Sequence, residues 1–170
     1  MRIVALLLVT ITFISCNSTK INTQKKVLNT EKYAGVYSYG DEIEKGTKGH
    51  IILFAETDNS VLFHISLNLG PKSYNSGETY GRLTFKDGKG VFSSSKNKYQ
   101  GKGCKWDISI KKDTLTIATI EGECGFGHSV VADGVFIKKD NNRPAFFEDV
   151  HGEKIYFIKT NPEEYYNGDY

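Results

Sequence analysis

The sequence predicts an all-β domain, a small antiparallel β-barrel or β-sandwich of about eight or more strands. Three observations carry this expectation. Apolar residues recur at every second position in short runs rich in Val, Ile, Thr, Tyr and Phe. Gly, Asp and Asn punctuate those runs at close intervals. No stretch of the chain after the first twenty residues carries the three-to-four-residue apolar spacing of an amphipathic helix.

Taken in order, strands are expected near Gly35–Tyr39, His50–Ala55, Val61–Leu67, Tyr80–Lys86, Gly90–Ser94, Cys104–Lys111, Thr114–Ile120, Ser129–Lys138 and Lys154–Lys159. The alternation is clearest in two of them. Val61, Phe63, Ile65 and Leu67 share one face, with Leu62, His64, Ser66 and Asn68 on the other. Cys104, Trp106, Ile108 and Ile110 alternate with Lys105, Asp107, Ser109 and Lys111. Asp87-Gly88 separates two runs and is a hairpin signal, because two-residue hairpin turns require positive φ. Asp133-Gly134 and His151-Gly152 are further turn candidates. Each sheet then has one dry face; closure into a barrel would remove exposed strand edges.

Ahead of the strands lies a different kind of segment. Met1-Arg2 is followed by an uncharged apolar run, Ile3 to Ile14, of about twelve residues. That suits a signal h-region and falls short of the roughly 20 residues a transmembrane helix needs. The run ends Phe13-Ile14-Ser15-Cys16. This end resembles a bacterial lipobox, with Phe13 where that motif usually has Leu. The resemblance implies cleavage before Cys16 and acylation of that cysteine; the alternative is a plain secretory signal with an incidental cysteine. Several acyl chains anchor stably where one binds only marginally. The expected organisation is a signal peptide over 1–15, a lipidated polar tether over 16–32, a β domain over 33–139 and a C-terminal extension over 140–170 packing on it. Lys and Arg number 22 against 20 Asp and Glu, without a clustered basic stripe, so nucleic acid is not an expected partner.

With Cys16 assigned to lipid, Cys104 and Cys124 remain. An exported protein meets an oxidising environment, which invites a disulfide. If Lys112-Asp113 is a two-residue turn, Ile110 faces Leu115 and Cys104 falls across from about Glu121. A bulge in Gly122–Gly127 would then bring Cys124 to Cys104, closing a loop of about twenty residues for a gain of roughly 3 kcal/mol. A zinc site using Cys104, Cys124 and His128 is the alternative, although no fourth ligand is evident. Gly122-Glu123-Cys124-Gly125-Phe126-Gly127 looks like a nucleotide loop but lacks the following helix; its glycines suit a bend beside the cysteines.

No catalytic motif is present: His50, His64, His128 and His151 are scattered, and Glu42, Glu44, Glu148 and Asp149 fall in expected loops. His64 either lines a polar pocket or sits on a solvent face, the latter being the ordinary outcome. The polar loop Gly70–Gly77 is the better binding candidate, with Tyr74, Asn75 and Ser76 as its contact residues. Phe146 and Phe147 are expected to cap one end of the core.

Ser73-Tyr74-Asn75-Ser76-Gly77 leading to Tyr80-Gly81-Arg82-Leu83, Cys104-Lys105-Trp106, Cys124-Gly125-Phe126-Gly127-His128 and Ala132-Asp133-Gly134-Val135-Phe136 together resemble uncharacterised lipoproteins of Bacteroidetes-type bacteria. The resemblance covers about residues 33–139 and implies no activity. A looser architectural likeness is to lysozyme-inhibitor lipoproteins, small disulfide-bonded barrels on a lipid tether that insert a loop into the enzyme's cleft. The expected function is a non-enzymatic envelope lipoprotein, at the outer membrane, that needs no cofactor or metal and binds an envelope protein. The alternative is a calycin-like carrier holding a small apolar ligand in the barrel interior. A third possibility, an envelope hydrolase, requires titratable groups clustered in a cleft.

Overall fold

The computed structural model describes residues 28–40, 46, 48–94 and 102–168. The signal, Cys16 and most of the tether lie outside the described residues, as do Glu42 and Glu44. A short 3-10 turn, Glu31–Tyr33, leads into β1 (Gly35–Tyr39), β2 (Lys48–Ala55), β3 (Ser60–Asn68) and β4 (Ser76–Lys86). These are followed by β5 (Lys89–Ser94), β6 (Cys104–Lys111), β7 (Thr114–Gly122) and β8 (Gly134–Asp140). Each strand pairs antiparallel with the next, and β8 pairs with β1, so the sheet closes into an eight-stranded up-and-down barrel. Closure decides between barrel and sandwich.

The expected alternation sets the inside. Val61, Phe63, Ile65 and Leu67 point inward from β3, and Trp106, Ile108 and Ile110 from β6. Tyr37, Leu53, Leu83, Phe92, Leu115 and Phe136 complete an interior filled by side chains. Phe63 meets Phe92 edge to face at 4.9 Å, and Trp106 lies 5.2 Å from Phe92.

The two ends of the barrel differ. One rim carries tight connections, among them Asp87-Gly88, where φ of 52° and 77° makes the hairpin turn the sequence signals. Lys112, φ 54°, turns β6 into β7 with Ile110 opposite Leu115, as the spacing predicts. The N-terminal segment enters at this rim, where Tyr33 stacks on Phe85 and its carbonyl accepts from the Tyr37 hydroxyl at 2.9 Å. The other rim carries the long loops 69–75 and 123–133. Here β8 starts later than expected: Ser129–Asp133 is loop, with Ser129 at φ 66° and Val130 N–H turning back to Gly127 at 2.9 Å. That loop folds inward, burying Val130 and Ala132 against the core. Gly77 is needed beneath it, since any Cβ there would lie 2.5 Å from the Phe126 ring.

The C-terminal extension forms a hairpin, β9 (Phe146–Glu148) and β10 (Lys154–Tyr156), then a six-residue helix, α1 (Pro162–Asn167). Asn161 and Glu164 cap α1 reciprocally, a reason so short a helix forms. Phe146 and Phe147 do not cap a barrel end. Phe147 packs with Ile155 and Phe157 on the outer side of the wall, against Ile52 and Phe54 of β2, Leu62 of β3 and Tyr80 of β4. The strand reading of Lys154–Lys159 holds only to Tyr156, after which the chain turns toward α1.

Candidate functional site

Two places concentrate polar chemistry, and the first is the long-loop rim. Cys104 and Cys124 are joined in a disulfide with Cα atoms 4.8 Å apart. Cys104 pairs with Gly122 across a register shift at Lys105/Trp106, where β7 carries the extra residue Ile120, so the bulge that brings Cys124 into reach lies in β7, ahead of Gly122. With both sulfurs in one bond, neither is a thiolate ligand, and the zinc alternative falls. Among the described residues no cluster of three or more metal-ligating side chains occurs.

The disulfide loop in turn holds the neighbouring loop. The Asn75 side-chain amide donates to the His128 carbonyl at 2.9 Å, and Gly127 N–H to the Ser76 carbonyl at 3.0 Å. Leu69 N–H to the Asn75 carbonyl closes the loop base at 2.8 Å. Tyr74 stands at its tip in left-handed backbone, φ 50°, with 60% of its surface exposed. Of the three expected contact residues, Tyr74 is thus presented, while Asn75 and Ser76 brace the loop.

The second place lies on the outer wall under the extension. His64 is not on a solvent face; it is 1% exposed, with its ring stacked on Phe147 at 3.9 Å and 8°. Its Nε2 donates toward Glu78 Oε2 at 3.3 Å, while Nδ1 has no hydrogen-bond partner. The Tyr165 hydroxyl donates to Glu78 Oε1 at 2.9 Å. Burial, and then the Glu78 charge, push the Tyr165 phenol well above its ordinary pKa, so it stays protonated and serves as a donor. His50 lies beside this group with its ring 6.2 Å from His64, and burial holds its pKa below the usual histidine value.

Sequence reasoning missed Glu78 and Tyr165 because 87 positions separate them. A signal did exist. Ile51–Ala55 is a continuous apolar run, which marks a strand buried on both faces, and Leu62 interrupts the polar face of β3. Phe147 covers the flat side of His64, so the cluster is closed to a substrate as the chain stands. Its evident work is to hold the extension.

Comparison of the chain with protein-family models, curated proteins and solved structures finds no match, so its role is argued from its own geometry.

Proposed function

We propose that this chain is a membrane-tethered, non-enzymatic envelope lipoprotein, anchored through Cys16, whose barrel presents the long-loop rim to a protein partner. The observation that carries the reading is Tyr74: a large exposed aromatic on a loop pinned through Asn75 to the disulfide-held loop. An aromatic with few rotatable bonds on a braced loop contributes contact area at low entropic cost. Placement supports it further. The N-terminal segment joins at the tight-turn rim, so a tether there leaves the Tyr74 rim facing away from the membrane. The interior supports an external site rather than the calycin-like carrier, since Trp106, Phe63, Phe92 and Phe136 fill the space an apolar ligand would occupy.

Three measurements test the reading. Intact mass of protein from its native membrane should match an acylated chain beginning at Cys16. A photo-crosslinking residue at position 74, in the producing cells, should capture a discrete protein, whereas the same residue at Val135 on the barrel wall should not. Equal capture at both positions, or none at 74, would remove the rim assignment. Purified lysozymes of each class address the inhibitor form directly: an inhibitor loses about tenfold or more in potency on Tyr74→Ala, a loss of the size a central aromatic anchor carries.

A further inference from the structure

The barrel wall is not uniformly hydrogen-bonded. Between β4 and β5 the ladder ends at Thr84↔Val91. Beyond that point β4 continues to Ser76, paired on its other side with β3, and β5 continues to Ser94, paired on its other side with β6. The two strands splay, and the gap is a groove of about 430 Å³. Its walls are Tyr80–Arg82 of β4 and Phe92–Ser94 of β5, with Glu163 and Tyr166 of α1 along its lip.

Main-chain groups of an antiparallel strand point alternately to its two neighbours. Thr84 faces β5, so Arg82, Tyr80 and Glu78 face the gap. The direction is confirmed at two places. Tyr80 N–H is taken by the Tyr166 hydroxyl at 2.9 Å, and the Ser76 carbonyl by Gly127 N–H at 3.0 Å. A side chain and a loop thus substitute, at two points, for a strand. The β4 residues that line the groove, Tyr80–Arg82, offer a ladder edge about 10 Å long at the usual strand rise.

We infer that this gap is a β-strand addition site, which accepts an extended segment of a partner polypeptide against the β4 edge between β4 and β5. Backbone complementarity selects the occupant: alternating donors and acceptors at strand spacing match another extended chain. Side chains add a preference. Phe63 and Phe92 already occupy the space over Gly81, each within 2.6 Å of where a Cβ would stand, so the inward-facing residue of the added strand is small. On the outside, Arg82 is engaged by Glu56 at 2.9 Å and by Glu163 at 3.1 Å. Two carboxylates against one guanidinium favour Lys or Arg at the outward-facing position. Tyr166 yields its bond to Tyr80 when the strand enters. This surface lies on the wall, apart from Tyr74, and does not depend on the rim reading.

A displayed library of random heptapeptides, panned on the full chain, tests it. Enriched peptides should carry a small residue flanked by Lys or Arg. N-methylation of alternate backbone amides on one edge of the bound peptide should abolish binding, and on the other edge leave it unchanged. Ser93→Trp, which fills the groove from β5, should weaken binding at least tenfold; Asn167→Trp, from α1, supplies the same block should Ser93→Trp destabilise the barrel. Tyr74→Ala should leave peptide affinity unchanged, which separates this site from the rim. Failure of any peptide to enrich, indifference to N-methylation, or full binding by a folded groove-filled variant would overturn the inference.

Discussion

Inside the barrel, buried surface is almost wholly apolar and is delivered by near neighbours in the chain. Trp106, Phe63, Phe92 and Ile108 meet because consecutive hairpins bring them together. On the outer wall of β2–β4 the burial is equally deep but differently made. Ile52, Phe54, Leu62 and Tyr80 are covered by a segment that begins after the barrel has closed. That cover is fastened by polar bonds: Tyr165 to Glu78, Tyr80 hydroxyl to the Thr160 carbonyl at 2.7 Å, and Arg143 to Glu31 at 2.8 Å. The first kind of burial specifies the fold. The second docks a strap onto a finished surface, and each leaves a buried polar atom unpaired, Thr79 Oγ1 beside Ile65 on the inner side and His64 Nδ1 on the outer.

The contrast is broken most severely from inside. Trp106→Ala should cost about 3–5 kcal/mol, as aromatic truncations in packed cores do, and lower the denaturant midpoint of the whole chain. Retention of the wild-type midpoint would mean the interior is not the cooperative core. Phe147→Ala removes a comparable side chain from the outer cluster. Its loss of about 3 kcal/mol should appear locally, as faster amide exchange in β9, β10 and α1 with β6 and β7 still protected. Uniform acceleration would make barrel and extension a single cooperative unit.

The smallest effect concerns pH. His50 is held below its ordinary value of 6.5 by burial, and secondarily by His64. As pH falls, the unfolded chain takes up that proton first. Stability is therefore intact above about 6.5 and drains as pH drops toward the depressed folded value. His50→Gln should flatten the fall of the denaturant midpoint between about pH 7 and 5. An unchanged slope would assign the dependence to other groups.

What was legible in the sequence follows the same division. Alternation in β3 and β6 disclosed the interior, and the Lys112-Asp113 turn gave the register that brings Cys104 near Cys124. Closure was not legible, because the β1–β8 pairing joins Tyr37 to Lys138 and no local pattern encodes it. Ser129–Asp133 imitated a strand because Val130 and Ala132 are buried alternately, although in a loop folded over the barrel mouth. His64 was misread because its cover comes from Phe147, far along the chain. The rim candidate was legible only as composition; that Tyr74 is presented while Asn75 braces depends on His128, which periodicity cannot reach.

The path of the extension has a mechanical side. An up-and-down barrel has one seam, where its first and last strands meet, and here Val36 pairs with Asp140 at the rim where the N-terminal segment enters. Tension arriving through that segment would open the seam as a zipper, one bond at a time. The strap leaves β8 at this corner, crosses β1 over Val36 and seats on β2, with Arg143 gripping Glu31 and lying 4.4 Å over the Phe54 ring. A buckle of this kind makes a pull on the N-terminal segment strain several strands together, so the joint closest to the pull is no longer the weakest.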